Sequence, residues 1–102
     1  MTDRTTADAP LDEIRAQIDS LDRRIVHLIA ERQQCVIAAG ALKKDEQAVR
    51  APARVEQVIA KVRDLAEDSG ASPDVVEQCY RALIGAFIDL ELGHHRSQSQ
   101  TP

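Results

Sequence analysis

Between Leu11 and Leu42 the positions Leu11, Ile14, Ile18, Leu21, Ile25, Leu28, Arg32, Cys35, Ala39 and Leu42 recur at alternating steps of three and four, the spacing of one helical face. All are apolar except Arg32, which holds a slot where a leucine belongs. No proline interrupts the series and Gly40 is only a weak breaker, so the spacing predicts one helix over roughly residues 11 to 43. At 1.5 Å per residue it would be about 50 Å long, longer than a compact domain of this size is wide. Its own chain cannot cover such a helix.

The stretch "KDEQAVRAP" breaks the period with charge and then Pro52, and reads as a loop. A second helix is predicted from about Pro52 to Ser69, with Val55, Val58, Ile59, Val62 and Leu65 on one face and Gly70 as its stop. Ser72 then suits an N-cap and Pro73 a first helical position, while Asp74 faces the helix dipole favourably. Val76, Tyr80, Leu83, Ile84, Phe87 and Leu90 form a third stripe, which Gly93 is expected to end. No strand-period segment, repeat or glycine-rich phosphate loop occurs. The expected fold is therefore all-α: a three-helix chain with one long N-terminal helix, shared across a homodimer. The helical domain is expected over residues 11–95, between a disordered N-terminal tail (1–10) and a disordered C-terminal tail (96–102).

Composition supports this picture. Of 102 residues 43% are apolar, but Tyr80 and Phe87 are the only aromatics, so the core must be thin and an oligomer is favoured. A net charge of −4 with interleaved bases argues against non-specific nucleic-acid binding. The chain start has no apolar leader core and no run reaches membrane-spanning length, so a cytoplasmic protein is expected. Cys35 and Cys79 fall on apolar faces and are expected to be buried, reduced thiols.

Three charges fall where apolar residues belong or next to them: Arg32 in the first seam, Glu91 four residues after Phe87, and Arg15 beside Ile14. Burying them unpaired is expensive. One explanation is an internal salt bridge, Arg32 with Glu91 or another acid, with arginine stems reaching to water. The other is an anion site. Arg15 and Arg32 lie about 25 Å apart along the helix and about 100° around it, too far for one small ligand within one chain. In an antiparallel dimer Arg15 of one copy can oppose Arg32 of the other, giving two identical sites. Lys43 returns to nearly the face of Arg32 about 16 Å along, and Arg54 could close the site beyond the loop. Such converging cations suit a small dicarboxylate. No nucleophile–base pairing, metal site or cofactor is indicated, and His27, His94 and His95 read as surface residues.

The segments "LDEIRAQIDSLDRRIVHLIAERQQCVIAAGALKK", "APARVEQV" and "VVEQCYRALIGAFIDLE" resemble the all-helical (AroQ-class) chorismate mutase family, including its isochorismate pyruvate lyase branch, from Leu11 to His95. The resemblance implies an intertwined homodimer with two shared sites. In each, Arg15 from one subunit and Arg32 from the other would bind substrate carboxylates, Lys43 would contact a carboxylate and the ether oxygen, and Arg54 would border the site. It further implies a unimolecular pericyclic reaction that needs no cofactor, nucleophile or metal, only shape and cations for the charge developing on the ether oxygen.

Two departures from the family pattern matter. Glu91 stands where many members carry glutamine; a carboxylate there would repel the ether oxygen and a carboxylic acid could donate to it, so Glu91 is expected to work protonated. Ala51 and Val55 stand where mutases of the enteric type carry acids that recognise the ring hydroxyl of chorismate, which removes one reason to prefer chorismate. The expected activity is chorismate mutase first, isochorismate pyruvate lyase close behind, then a mutase of 4-amino-4-deoxychorismate. The pathways implied are aromatic amino acid or salicylate biosynthesis. A catalytically silent helical dimer serving as a regulatory or partner-binding module is the rival of another class.

Overall fold

The three-and-four spacing is realised as helix from Leu11 through Ala39, and the helix begins before the predicted stripe does. A computed structural model describes the backbone of residues 2–99 and the side chains of residues 8–97. Its helices are α1 (Thr2–Gly40), α2 (Glu46–Arg50), α3 (Pro52–Ser69) and α4 (Pro73–Ser99). The fold is all-α, with three long helices and the longest at the N-terminus. Among the described residues no helix is long and apolar enough to cross a membrane. The chain divides into two compact units, Met1–Gln34 and Cys35–Pro102.

In the first unit α1 starts at Thr2 and runs through Pro10, so helix begins well before the stripe does. Pro10 lacks the N–H that would bond the carbonyl one turn back. Met1 and residues 100–102, where parts of the two tails were expected, lie outside the described residues. Leu11, Ile14, Ile18, Leu21, Ile25 and Leu28 are each about half exposed or more in the single chain. The helix-length argument requires that outcome.

In the second unit α1 ends at Gly40 rather than near residue 43. The amides of Leu42 and Lys43 bond the carbonyls of Ala39 and Gly40, both at 3.1 Å, so the last turn tightens and turns the chain aside. Leu42, expected to close the stripe, is 86% exposed as a result. The expected loop contains α2: the Asp45 carboxylate accepts from the Ala48 amide at 2.8 Å, a side-chain N-cap. Ala51 joins α2 to α3 in the left-handed region (φ 36°, ψ 63°), a conformation that strains a residue with a Cβ.

The punctuation of α3 and α4 matches the reading from sequence. Pro52 opens α3, and Gly70 (φ 80°) closes it in a Schellman arrangement, with Gly70 N–H bonding Glu67 O and Ala71 N–H bonding Ala66 O. Ser72 Oγ accepts from the Val75 amide at 3.3 Å to cap α4. Gly93 does not end α4. The helix continues because His95 and Arg96 beyond it find partners on the α1–α2 turn and on α2.

The core is thin: Val49, Ile59, Val62, Ala66, Phe87 and Leu92. On α3 the buried line runs 59, 62, 66, so Ala66 takes the place expected of Leu65, which is 52% exposed. Cys35 and Cys79 are free thiols, but exposed rather than buried. Polar contacts tie α3 to α4 along the rim. Arg81 makes a bidentate pair with Glu56 (2.9 and 3.0 Å) and bonds Glu77 (2.7 Å), and Arg63 reaches Glu77 (2.8 Å) and Asp74 (3.0 Å).

The Arg81 guanidinium holds the Glu77 and Glu56 carboxyls below the usual carboxylate range, with Arg63 assisting at Glu77. In acid the unfolded chain therefore takes up protons that the folded chain does not, and stability is lost as pH falls through and below the ordinary glutamate range. Urea unfolding followed from about pH 6 to about pH 3 should show that decline, and a Glu56→Gln, Glu77→Gln variant should show a shallower one. Glu77 should account for most of the difference, because Glu56 is 65% exposed and screened by water.

Candidate active site

The turn that follows α1 delivers Lys43 to α4. Lys43 Nζ donates to Glu91 Oε2 at 2.9 Å; the lysine side chain is 27% exposed and the glutamate 7%. Glu91 lies one turn after Phe87 on the same face of α4, so it points inward by helical position, and Lys43 supplies the charge that makes its burial tolerable. Gly40 makes the room. A Cβ at that position would stand 3.0 Å from Glu91 Oε2. Ile37, Gly40, Ala41, Glu91, His94 and His95 line a cleft of about 50 Å³, enough for a few waters.

Two further contacts from α4 hold the same segment. His95 Nε2 lies 3.3 Å from the Lys43 carbonyl oxygen, and Arg96 Nε donates to Glu46 Oε1 at 2.6 Å. The Arg96 guanidinium holds the Glu46 carboxyl below the usual carboxylate range. His95 is thus half-buried and engaged, not the surface residue its sequence setting suggested. The available signal was its position four residues after Glu91, on the same helical face, which the expected stop at Gly93 hid.

Of the residues singled out from sequence, Lys43 and Glu91 are brought together. Glu91 takes Lys43 as a partner, where the salt bridge suggested by the sequence was Arg32 with Glu91 or another acid. Arg54 sits on an exposed part of α3, and its Nη1 donates to Gln57 Oε1 at 2.7 Å on the same helix. Val55 is half-buried one residue on. Arg15, exposed, and Arg32, half-buried, belong to the first unit. Among the described residues no group of three or more His, Cys, Asp or Glu side chains is gathered as a metal site would need.

These features define a class: an all-α domain of three long helices that sets a cation against a buried acid where the first helix ends. Residues 14–92 match the family described as chorismate mutase type II, and the chain belongs to that family, in relation to its isochorismate pyruvate lyase branch. It is 31% identical over 86 residues to an isochorismate pyruvate lyase of Pseudomonas aeruginosa, a match covering 84% of this chain and 85% of that protein. It is also 32% identical over 77 residues to a T-protein of Enterobacter agglomerans and 35% identical over 75 residues to a T-protein of Haemophilus influenzae. Those matches take in 74% and 72% of this chain but only 21% and 20% of the T-proteins. Lys43 and Glu91 fall inside the family span; His95 and Arg96 lie just past its end.

Removing the lysine alone should leave Glu91 buried without the ion pair it makes in the folded chain. Lys43→Met is expected to lower unfolding free energy by about 1–3 kcal/mol, and adding Glu91→Gln should recover at least half of that loss. Urea unfolding of both variants at one protein concentration measures it; equal losses would mean the pair is not coupled.

Proposed function

We propose that the chain catalyses a cofactor-free pericyclic reaction of a chorismate-type dicarboxylate. Pyruvate elimination from isochorismate is the leading reaction and rearrangement of chorismate to prephenate the second. The observation that carries this reading is Lys43, a charged donor held by a buried acid that lines a cleft, in a chain of this family. The order reverses the ranking from sequence. It rests on the Pseudomonas aeruginosa lyase, which matches over most of both chains, whereas the T-proteins match over about a fifth of their length. Ala51 and Val55, in place of ring-hydroxyl acids, favour the same order.

On this reading Lys43 leaves Glu91 when substrate arrives and turns its ammonium to the ether oxygen and a substrate carboxylate. In isochorismate the ether C–O bond breaks as one hydrogen passes from the ring to the enolpyruvyl methylene carbon, giving salicylate and pyruvate. In chorismate the same bond breaks as a C–C bond forms. Either way negative charge grows on the ether oxygen, and a cation placed there beforehand stabilises the transition state more than the ground state. Glu91, protonated, donates to the same oxygen. Arg32 binds a carboxylate together with Arg15 of a second copy, while Arg54 and Val55 border the substrate. The exposed apolar face of α1 supports the antiparallel homodimer that this sharing requires.

Purified protein given chorismate and isochorismate separately, without cofactor, should form salicylate from isochorismate, read by fluorescence, faster than prephenate from chorismate. Lys43→Ala should lower kcat by about 10²–10³ with the dimer retained. Silence with both substrates would leave the silent helical dimer as the surviving reading.

Lys43 bonds Glu91, and His94 and His95 line the same cleft. If the Glu91 carboxylic acid is the working form, wild-type activity should decline as pH rises, and Glu91→Gln, an N–H donor at any pH, should hold its activity into the alkaline range. A wild-type profile flat from acid to mildly alkaline pH would sink the acid role of Glu91.

A further inference from the structure

Lys43 lies in the non-helical segment between α1 and α2, where backbone freedom would ordinarily blur the position of its ammonium. Three residues of α4 remove that freedom. Glu91 takes the ammonium, His95 one turn further along faces the Lys43 carbonyl at 3.3 Å, and Arg96 takes Glu46 at 2.6 Å. The two ion pairs are not equivalent. The Glu91 contact must open if Lys43 is to serve a substrate, and the Arg96–Glu46 pair is about half exposed on both sides. The His95 contact is part-buried, bonds the backbone, and involves neither the ammonium nor the carboxylate that would change partners.

Resting on the proposed reaction, we infer that His95 is a positioning residue: its Nε2–H donates to the Lys43 carbonyl and fixes the backbone from which the Lys43 ammonium swings from Glu91 to the substrate. This gives the helix beyond Gly93 a role. It carries the holding residue past the span that matches the family. Nε2–H is present in one neutral tautomer and in the imidazolium, so the bond does not require a charged ring.

The experiment compares His95→Leu with His95→Gln, whose side-chain amide can donate from a similar place. His95→Leu should lower kcat by about tenfold, the equivalent of one modest hydrogen bond lost from a transition-state contact, with KM within about twofold. His95→Gln should restore kcat to within about twofold of wild type. Amide hydrogen exchange at residues 43–46 should quicken in His95→Leu and not in His95→Gln. Unchanged kcat in His95→Leu, or a loss that glutamine does not restore, overturns the assignment. Should His95→Leu fail to fold, the wild-type ring decides: nitrogen NMR must find Nε2 carrying the proton at neutral pH, and a bare Nε2 with the proton on Nδ1 overturns it. If wild type turns over neither substrate, the reaction reading has failed; the exchange and NMR measurements still judge the contact itself.

Discussion

A glutamate only 7% exposed must be compensated, and the compensation of Glu91 by Lys43 sets the geometry of the second unit. Lys43 lies outside any helix, so reaching Glu91 brings the whole turn after Gly40 against α4. That in turn fixes where Asp45 can cap α2 and where Val49 enters the core. The pair need not add much net stability, since removing two charges from water offsets most of their attraction. What it specifies is register. Apolar contacts, which are not directional, would tolerate a slide of α4 past the end of α1 far better than a charge pair at 2.9 Å does. Gly40 completes the constraint, because any larger residue would press on the carboxyl that Lys43 holds.

The two units solve the shortage of large apolar residues differently. The second gathers a few buried apolar side chains from α2, α3 and α4 and adds a rim of arginine–carboxylate contacts. The first leaves its leucines and isoleucines about half exposed along about five helical turns. On the proposed reading that continuous apolar face is where a second copy packs. That face also carries Arg32, and Arg15 stands next to it, so on the proposed reading one surface both joins two copies and builds two sites.

Residues whose meaning is local were legible in the sequence. Pro52, Gly70, Ser72 and Pro73 each do what their backbone chemistry dictates, and the long stripe of α1 announces its own period. α2 was not legible because five residues with one buried side chain show no period, although Asp45 three residues before Ala48 was a capping signal in plain view. Ala66 displaced Leu65 because a small rotation of α3 suffices to exchange neighbours on a helix. The end of α4 was misjudged for a related reason: glycine weakens a helix by about 1 kcal/mol, and contacts from His95 and Arg96 outweigh it. The partner of Glu91 was hidden too. Spacing along α1 ranks Arg32 and Lys43 alike, and only the tightened turn after Gly40 separates them.

The choice of glutamate at position 91 follows through to binding. A glutamine there would leave the lysine ammonium with a neutral neighbour, whereas Glu91 gives it an anionic one before any substrate arrives. On the proposed reading an incoming carboxylate must therefore displace an internal one from Lys43 Nζ. The contact that holds the ammonium in place and the contact that would bind substrate are then alternatives at one nitrogen, and an arriving anion has to offer that nitrogen a better partner than Glu91 does.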